Sequence, residues 1–248
     1  MPVIKVLLSI IFTVVACSIA FGQHPVTIYL AGDSTMAEKT TDKRPETGWG
    51  EKLQAFFNPT KVRVENHAKN GRSSRSFIAE KLWQAIVDNL KKGDYVFIQF
   101  GHNDQKENTD RYASPADYRI NLLKFVSDVR AKQAVPVLFT PVVRRRFDEQ
   151  GTFFDTHGEY PQVVRSVAAE LKVPLIDMHR KTEKLLRDFG VEGSRKLFLQ
   201  LKPDENPNYP KGIEDNTHFN VFGAEQMASL AVDGIRESKL GLVRNLRR

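Results

Sequence analysis

Short apolar segments alternate with amphipathic segments along most of this chain. The apolar segments are rich in β-branched and aromatic residues, as buried strands are, and they cover residues 26–31, 62–65, 95–100, 135–140 and 173–177. Apolar residues recur at helical spacing in residues 76–90, 115–132, 160–171 and 222–238. Near-continuous apolar strands alternating with helices predict a parallel sheet covered by helices on both faces.

Residues 1–22 have a different pattern. They carry Lys5 as their only charge, and residues 6–22 are almost wholly apolar. Ala20 and Gly22 are small residues at the places expected before a cleavage site at Gln23. We expect a secretory signal peptide, because the segment is short for a spanning helix. A retained N-terminal anchor and a lipoprotein lipidated at Cys17 remain open as alternatives.

No repeat, low-complexity tract or flexible linker divides residues 23–248, which we expect to form one domain. A content of 41% hydrophobic and 27% charged residues excludes a disordered, collagenous or multi-span membrane protein. The single cysteine excludes an internal disulfide.

The formal charge of +7 favours anionic partners. The charge alone does not choose among a nucleic acid, a membrane and an acidic polysaccharide, but the predicted export disfavours a nucleic acid. We expect no stable membrane insertion after signal cleavage, and the oligomeric state is left open.

Polar and glycine residues follow four of the predicted strands. In open parallel sheets, functional groups gather at the carboxyl ends of the strands. The segments at these places are residues 32–35, 66–73, 101–104 and 141–146. The four segments therefore predict one shared cleft.

A serine and a distant Asp/His pair suggest nucleophilic catalysis. Ser34 follows the first strand, and Asp215 and His218 precede the last predicted helix. A nucleophilic serine needs an imidazole to take its proton and a carboxylate to orient that imidazole. The backbone N–H groups of Ser34 and Gly71 and the Asn103 carboxamide are candidate oxyanion-hole donors. The alternative is that Ser34 caps a helix and that the Asp/His pair stabilises a turn.

Four short motifs together resemble the sequence blocks of the SGNH, or GDSL-type, hydrolases. In order, they are Gly32-Asp33-Ser34, Asn70-Gly71, Gly101-His102-Asn103-Asp104 and Asp215-x-x-His218. Thr35 stands where the four-letter GDSL name has leucine. A closer resemblance to the rhamnogalacturonan acetylesterase family comes from residues 32–37, 48–50, 70–77, 99–104, 141–145 and 156–161.

This resemblance implies a three-layer α/β/α, flavodoxin-like fold with a five-stranded parallel sheet, and deacetylation of pectic polysaccharide. By position, it implies that Ser34 is the nucleophile, His218 the general base and Asp215 its orienting partner. It also implies an oxyanion hole formed by Ser34, Gly71 and Asn103. We expect neither a metal ion nor a cofactor in this reaction.

Four further residues are predicted to contact substrate. Trp49, between two glycines, either stacks on a sugar ring or belongs to the core. Arg144, Arg145 and Arg146 follow the fourth strand, where they either pair with uronate carboxylates or form a solvated loop.

Other functions are weighed against a pectic acetylesterase. They are an acetylesterase for another glycan such as xylan, a lipase-like esterase, a metal-dependent phosphoesterase and a non-catalytic carbohydrate-binding protein. The mean hydropathy of −0.39 and the absence of a long apolar lid disfavour the lipase-like reading. The order of His102 and Asn103 and the lack of a second His-rich block disfavour the phosphoesterase. His157 and His179 show no partner in the sequence.

Overall fold

A five-stranded parallel sheet forms the centre of the protein in a computed structural model that describes residues 25–247. The strand order is β2-β1-β3-β4-β5, which is the flavodoxin-like order. The predicted signal peptide and Cys17 lie outside the described residues. The strands are β1 (Val26–Gly32), β2 (Val62–Asn66), β3 (Tyr95–Gln99), β4 (Val135–Phe139) and β5 (Leu175–Ile176).

Seven α-helices accompany the strands in the described part of the chain. They are α1 (Trp49–Leu53), α2 (Ser74–Ala79), α3 (Leu82–Asn89), α4 (Pro115–Ala131), α5 (Tyr160–Leu171), α6 (Met178–Gly193) and α7 (Val221–Glu237). The helix predicted over residues 76–90 is divided, because Lys81 adopts a left-handed conformation with φ of 59° between α2 and α3. None of the helices within residues 25–247 has the length and apolar character needed to cross a membrane.

The helices cover both faces of the sheet, which confirms the three-layer prediction. Side chains alternate along a strand, so Ile28 and Leu30 face one layer while Tyr29 and Ala31 face the other. Residues of α1, α6 and α7 pack in the first layer, and residues of α2, α3, α4 and α5 pack in the second. Both faces of the sheet are therefore buried. The carboxyl ends of the strands remain as the place where functional groups can reach a substrate.

A small antiparallel hairpin is the main addition to the predicted elements. It pairs β6 (Phe198–Leu201) with β7 (Ile213–Phe219). The sequence of β7 contains Glu214, Asp215 and Asn216 in a row, so it lacks the apolar alternation by which strands are recognised. Because β7 carries two of the predicted catalytic residues, the hairpin belongs to the site.

Candidate active site

Ser34, His218 and Asp215 form a continuous line of hydrogen bonds. Ser34 Oγ lies 2.9 Å from His218 Nε2, and His218 Nδ1 lies 2.6 Å from Asp215 Oδ2. The carboxylate accepts a hydrogen bond from Nδ1–H, which leaves the Nε2 lone pair to accept the serine proton. The His218 ring and the Asp215 carboxylate are both partly exposed. The line of hydrogen bonds is therefore open to solvent, where a substrate can approach.

A bulge in β7 allows Asp215 and His218 to meet. Residues three apart in a regular strand point to opposite faces of the sheet. Here Glu214 pairs with Gln200 and Phe219 with Phe198, so residues 215–218 lie opposite a single residue of β6. Asp215 Oδ1 accepts hydrogen bonds from the N–H groups of Thr217 and His218, at 2.6 and 2.9 Å. The bulge therefore turns both side chains toward Ser34.

The electrostatics of Asp215 favour the ionised carboxylate. Burial alone would raise its pKa, but hydrogen bonds and charge from His218 and the N–H groups of His218 and Thr217 hold the pKa below its usual value. An ionised Asp215 fixes the tautomer of His218 and stabilises the imidazolium that forms when the serine proton is transferred.

The three predicted oxyanion-hole donors come from neighbouring strand ends. Ser34 follows β1, which lies between β2 and β3, while Gly71 follows β2 and Asn103 follows β3. Gly71 has a φ of +74°, a left-handed conformation that suits glycine. Asn103 is buried and uses its amide to donate a hydrogen bond to the Arg72 carbonyl at 3.0 Å. The sheet order thus brings the donors to both sides of the serine.

Lys39 joins the serine turn to the Gly71 loop, and the sequence analysis did not identify it. Its Nζ donates to the Ser34 carbonyl at 2.5 Å and to Asn70 Oδ1 at 2.7 Å, and it pairs with Glu46 Oε1 at 2.8 Å. Lys39 stands in a polar stretch of the chain, residues 38–44, so nothing in the sequence indicates that its side chain is buried. Its contacts identify it as a positioning residue for the two loops.

Asp33 orders the turn that presents Ser34. Its Oδ1 accepts hydrogen bonds from Thr35 N and Thr35 Oγ1 at 2.9 and 2.8 Å. Burial raises the pKa of Asp33 against the effect of these hydrogen bonds. Threonine at position 35 therefore has a specific structural role beside the nucleophile.

Asp104 fastens the loop after β3 to the start of α2. One carboxylate oxygen accepts from Ser74 N and Ser74 Oγ at 2.9 and 2.5 Å, and the other accepts from Gly101 N at 3.0 Å. Burial raises the pKa of Asp104 to about 7, although the hydrogen bonds from Ser74 oppose that shift. This packing holds Asn103 in place.

His102 is buried on the other side of the same loop, against the ring of His157. Burial lowers its pKa well below the usual value, which keeps the ring neutral. Among residues 25–247, the group of side chains able to hold a metal ion is Asp155, His157 and His179, and it contains no residue of the Ser34–His218–Asp215 line.

Two of the residues predicted to contact substrate, Trp49 and Arg145, are buried, so that prediction is wrong for them. Trp49 is 0% exposed, stacks on Phe139 and donates through Nε1 to Gln99 Oε1 at 2.9 Å. Arg145 is buried and donates to Ser194 Oγ, Asn216 Oδ1 and the Val191 carbonyl. Neither side chain has a free surface for a sugar, so both are structural.

Arg144 and Arg146 differ in how far they reach solvent. Arg144 is half-buried and donates to Thr156 Oγ1 and to the His102 carbonyl, at 3.0 and 3.1 Å. Arg146 is exposed, and the preceding Arg145 N–H donates to the Asn216 carbonyl beside Asp215. Arg146 is therefore the exposed arginine among the three predicted to contact substrate.

Several known proteins are similar to this chain. Residues 30–226 match the model of the GDSL-like lipase/acylhydrolase family. The rhamnogalacturonan acetylesterase RhgT of Bacillus subtilis is 45% identical over 221 residues, which are 89% of this chain and 94% of that protein. A rhamnogalacturonan acetylesterase of Emericella nidulans is 50% identical over 222 residues, 82% of this chain and 81% of that protein.

Solved structures share the fold. The Bacillus subtilis protein YxiM superposes with a TM-score of 0.75 at 27% identity, over 88% of this chain but only 58% of that longer chain. An acetylxylan esterase from Geobacillus stearothermophilus superposes with a TM-score of 0.60 at 20% identity, over 86% of this chain and 95% of that chain. The chain therefore belongs to the GDSL-like lipase/acylhydrolase family and is an enzyme of the carboxylic ester hydrolase class.

Proposed function

We propose that this enzyme removes acetyl groups from a plant cell-wall polysaccharide, with Ser34 as nucleophile, His218 as general base and Asp215 as its orienting partner. The observation that carries the proposal is the unbroken line from Ser34 Oγ through both ring nitrogens of His218 to Asp215 Oδ2. Such a line activates a hydroxyl group that is otherwise a weak nucleophile at neutral pH.

In the first half of the reaction, Ser34 Oγ attacks the acetyl carbonyl carbon while its proton moves to His218 Nε2. The carbonyl oxygen becomes negative and accepts hydrogen bonds from Ser34 N–H, Gly71 N–H and the Asn103 amide. The tetrahedral intermediate then collapses. The ester C–O bond breaks, His218 returns the proton to the sugar oxygen, and the acetyl group remains on Ser34.

In the second half, water repeats these steps against the acetyl-serine. His218 takes a proton from water, the hydroxide attacks the acetyl carbon, and the tetrahedral oxygen again occupies the oxyanion hole. Release of acetate returns the proton to Ser34 Oγ. The reaction thus consumes one water and produces one sugar hydroxyl and one acetic acid, which ionises to acetate and a proton. His218 carries the proton in each transfer step.

We further propose acetylated rhamnogalacturonan as the substrate class. Two relatives at 45% and 50% identity carry that activity in their names. A cavity of about 660 Å³ beside the β6–β7 hairpin is lined by three basic residues, Arg195, Lys202 and Lys211, and by two acidic ones, Glu205 and Glu214. Its lining keeps an excess of positive charge, which suits a polymer that carries uronate carboxylates. The signal-peptide pattern of residues 1–22 supports export of the enzyme to a compartment where it would meet such a polymer.

Hydrolysis of a matched panel of esters, followed as acetate released from the glycans and as fatty acid released from the lipid, tests this proposal. The panel consists of acetylated rhamnogalacturonan, acetylated homogalacturonan, acetylated xylan and a triacylglycerol, with Ser34→Ala protein as the blank. We expect the highest kcat/KM on rhamnogalacturonan and the lowest on the triacylglycerol. Preferential release from xylan would overturn the substrate class while leaving the serine mechanism in place. Release by the Ser34→Ala protein at the wild-type rate would overturn the mechanism.

A further inference from the structure

A second polar cluster lies where the loop before α5 meets the first turn of α6. Asp155 and His157 come from the loop, and His179 comes from the helix. His157 Nδ1 lies 3.0 Å from Asp155 Oδ1, and His179 Nε2 lies 2.9 Å from the same oxygen. All three donor atoms lie within 4.8 Å of one another. Two imidazole nitrogens and a carboxylate oxygen thus converge on one point.

The two histidines are buried, while the carboxylate keeps access to solvent. His157 is 1% and His179 is 7% exposed, whereas the Asp155 side chain retains 30% exposure. His179 Nε2 approaches Asp155 closely, yet it completes no directional hydrogen bond within residues 25–247. That nitrogen is available as a ligand, and the exposed side of Asp155 is the entry path.

The donor set suits zinc better than the harder divalent cations. Zinc binds imidazole nitrogen and carboxylate oxygen at about 2.0–2.2 Å, which places neighbouring donors of a tetrahedral site about 3.3–3.5 Å apart. The present separations of 2.9 and 3.0 Å need to open by only a few tenths of an ångström. Calcium and magnesium prefer sites built mainly from oxygen ligands, and this cluster offers one carboxylate.

A neighbouring imidazole supports the orientation of His157. Its Nε2 lies 3.5 Å from His102 Nδ1, and the two rings meet edge to face. Metal-binding histidines commonly use their second nitrogen in an outer contact of this kind, which fixes ring orientation.

A positive charge also lies near the cluster, because Arg144 donates to Thr156 Oγ1, between Asp155 and His157 in the chain. Its repulsion of a cation lowers the affinity for zinc. We therefore expect a dissociation constant on the order of micromolar, weaker than that of a structural zinc site with four protein ligands.

We propose that Asp155, His157 and His179 bind one zinc ion through Oδ1, Nδ1 and Nε2, with water as the fourth ligand. The ion joins the loop before α5 to the start of α6 and stabilises the fold. It takes no part in ester hydrolysis, since no ligand contacts Ser34, His218 or Asp215 in the described structure. Zinc binding and the proposed esterase activity can therefore be tested independently.

Zinc titration of the purified chain, stripped of metal and carrying no affinity tag, tests the site. We expect one zinc per chain by competition with a chromophoric chelator, and a melting temperature higher by about 5–10 °C when zinc is present at 100 times Kd. Cobalt gives a second readout that needs no variant: strong visible absorption indicates the expected four-coordinate site. No stoichiometric binding, or only the weak cobalt spectrum of a six-coordinate ion, would overturn the proposal.

Variants distinguish this cluster from other histidines. His179→Gln and Asp155→Asn should each weaken zinc binding at least tenfold, and both should leave esterase activity at saturating substrate unchanged. His67→Gln is the matched control, because His67 also lies near a carboxylate, 3.4 Å from Glu65 Oε2, but belongs to no three-ligand group in the described structure. Equal weakening in the control, or full binding by both cluster variants, would show that the zinc binds elsewhere.

Discussion

His218 Nε2 lies 2.9 Å from Ser34 Oγ, although 184 residues separate them in the chain. Two features produce this contact. The sheet places the turn after β1 between the ends of β2 and β3, and the bulge of β7 brings Asp215 and His218 to that turn. The contact carries the proposed mechanism, so the predictions begin with its two ends.

Removal of the nucleophile should abolish turnover without unfolding the protein. Ser34→Ala deletes one partly buried oxygen, and we expect kcat to fall on the order of 10⁴-fold or more. The residual rate would come from substrate binding and the oxyanion hole. Acetate release under single-turnover conditions measures the loss, and circular dichroism checks the fold. Near-normal turnover by a folded variant is the result that excludes Ser34 as nucleophile.

Asn103→Ala should act on kcat more than on KM. Its amide is proposed to donate to charge that develops only in the transition state, so we expect kcat to fall by roughly 10²–10³-fold, about 2.7–4 kcal/mol. Because Asn103 also donates to the Arg72 carbonyl, Arg72→Ala, which keeps that carbonyl, serves as a control for loop damage. A rise in KM at constant kcat would assign Asn103 to ground-state binding instead.

Asp215→Asn should reduce both activity and the pH dependence of stability. Loss of the carboxylate from a triad lowers kcat by about 10⁴-fold. The pKa of Asp215 is lowered in the folded state, so its ionisation stabilises the fold above the unfolded pKa of about 3.9, and this contribution disappears as the pH falls through the lowered value.

Urea unfolding at several pH values measures this effect. The variant should be less stable than the wild type at pH 7, and the difference should narrow as the pH falls below about 4. Asp233→Asn, in an exposed pair with Arg236, is the control and should change little. A difference that grows toward acid pH would contradict the lowered pKa.

Lys39→Met should destabilise the protein and slow catalysis together. The Lys39 side chain is 0% exposed and its partner Glu46 12%, so the substitution leaves a largely buried carboxylate without its ion pair. We expect a loss of about 3–5 kcal/mol in the free energy of unfolding. Denaturant titration measures the loss, and kcat should also fall because the Ser34 and Asn70 contacts disappear.

Lys52→Met is the matched control for Lys39. Lys52 pairs with Glu225 at 3.2 Å, with side chains 27% and 51% exposed, and an exposed pair contributes about 0–1 kcal/mol. Equal effects of the two substitutions would show that the burial of Lys39 carries no special weight.

Arg146→Gln and Arg145→Gln should separate substrate attraction from structure. Exposed Arg146 should matter only for acidic polymer, so its replacement should lower kcat/KM on acetylated rhamnogalacturonan at low salt, less at high salt, and leave a small neutral acetyl ester unaffected. Buried Arg145 should instead lower stability and both activities, because its replacement leaves buried partners unsatisfied. Measurements of kcat/KM on both substrates at two salt concentrations test these expectations. If Arg146→Gln lowered kcat/KM equally on the acidic polymer and on the neutral ester, Arg146 would have no role in attracting acidic substrate.

The elements with strong local patterns were predictable to within a few residues. The strand predicted over residues 95–100 is β3, Tyr95–Gln99, and the helix predicted over 160–171 is α5, Tyr160–Leu171. A strand buried on both faces must be apolar throughout, and a helix against a sheet must be apolar at its own period. In contrast, β7 has no strand pattern because its polar residues serve the site. The sequence leaves open whether Trp49 stacks on a sugar or packs in the core, because an aromatic residue between glycines does not reveal which way it faces.

The chain's local patterns are enough to predict the layer architecture, the family resemblance and the residues at the strand ends. These follow from local periodicity and short motifs, which need no knowledge of distant contacts. Two features are visible only in the folded protein: the bulge that turns Asp215 and His218 toward Ser34, and the meeting of Asp155, His157 and His179. Each of these depends on how separate segments pack against one another, and packing distances between remote residues leave no local pattern in the chain.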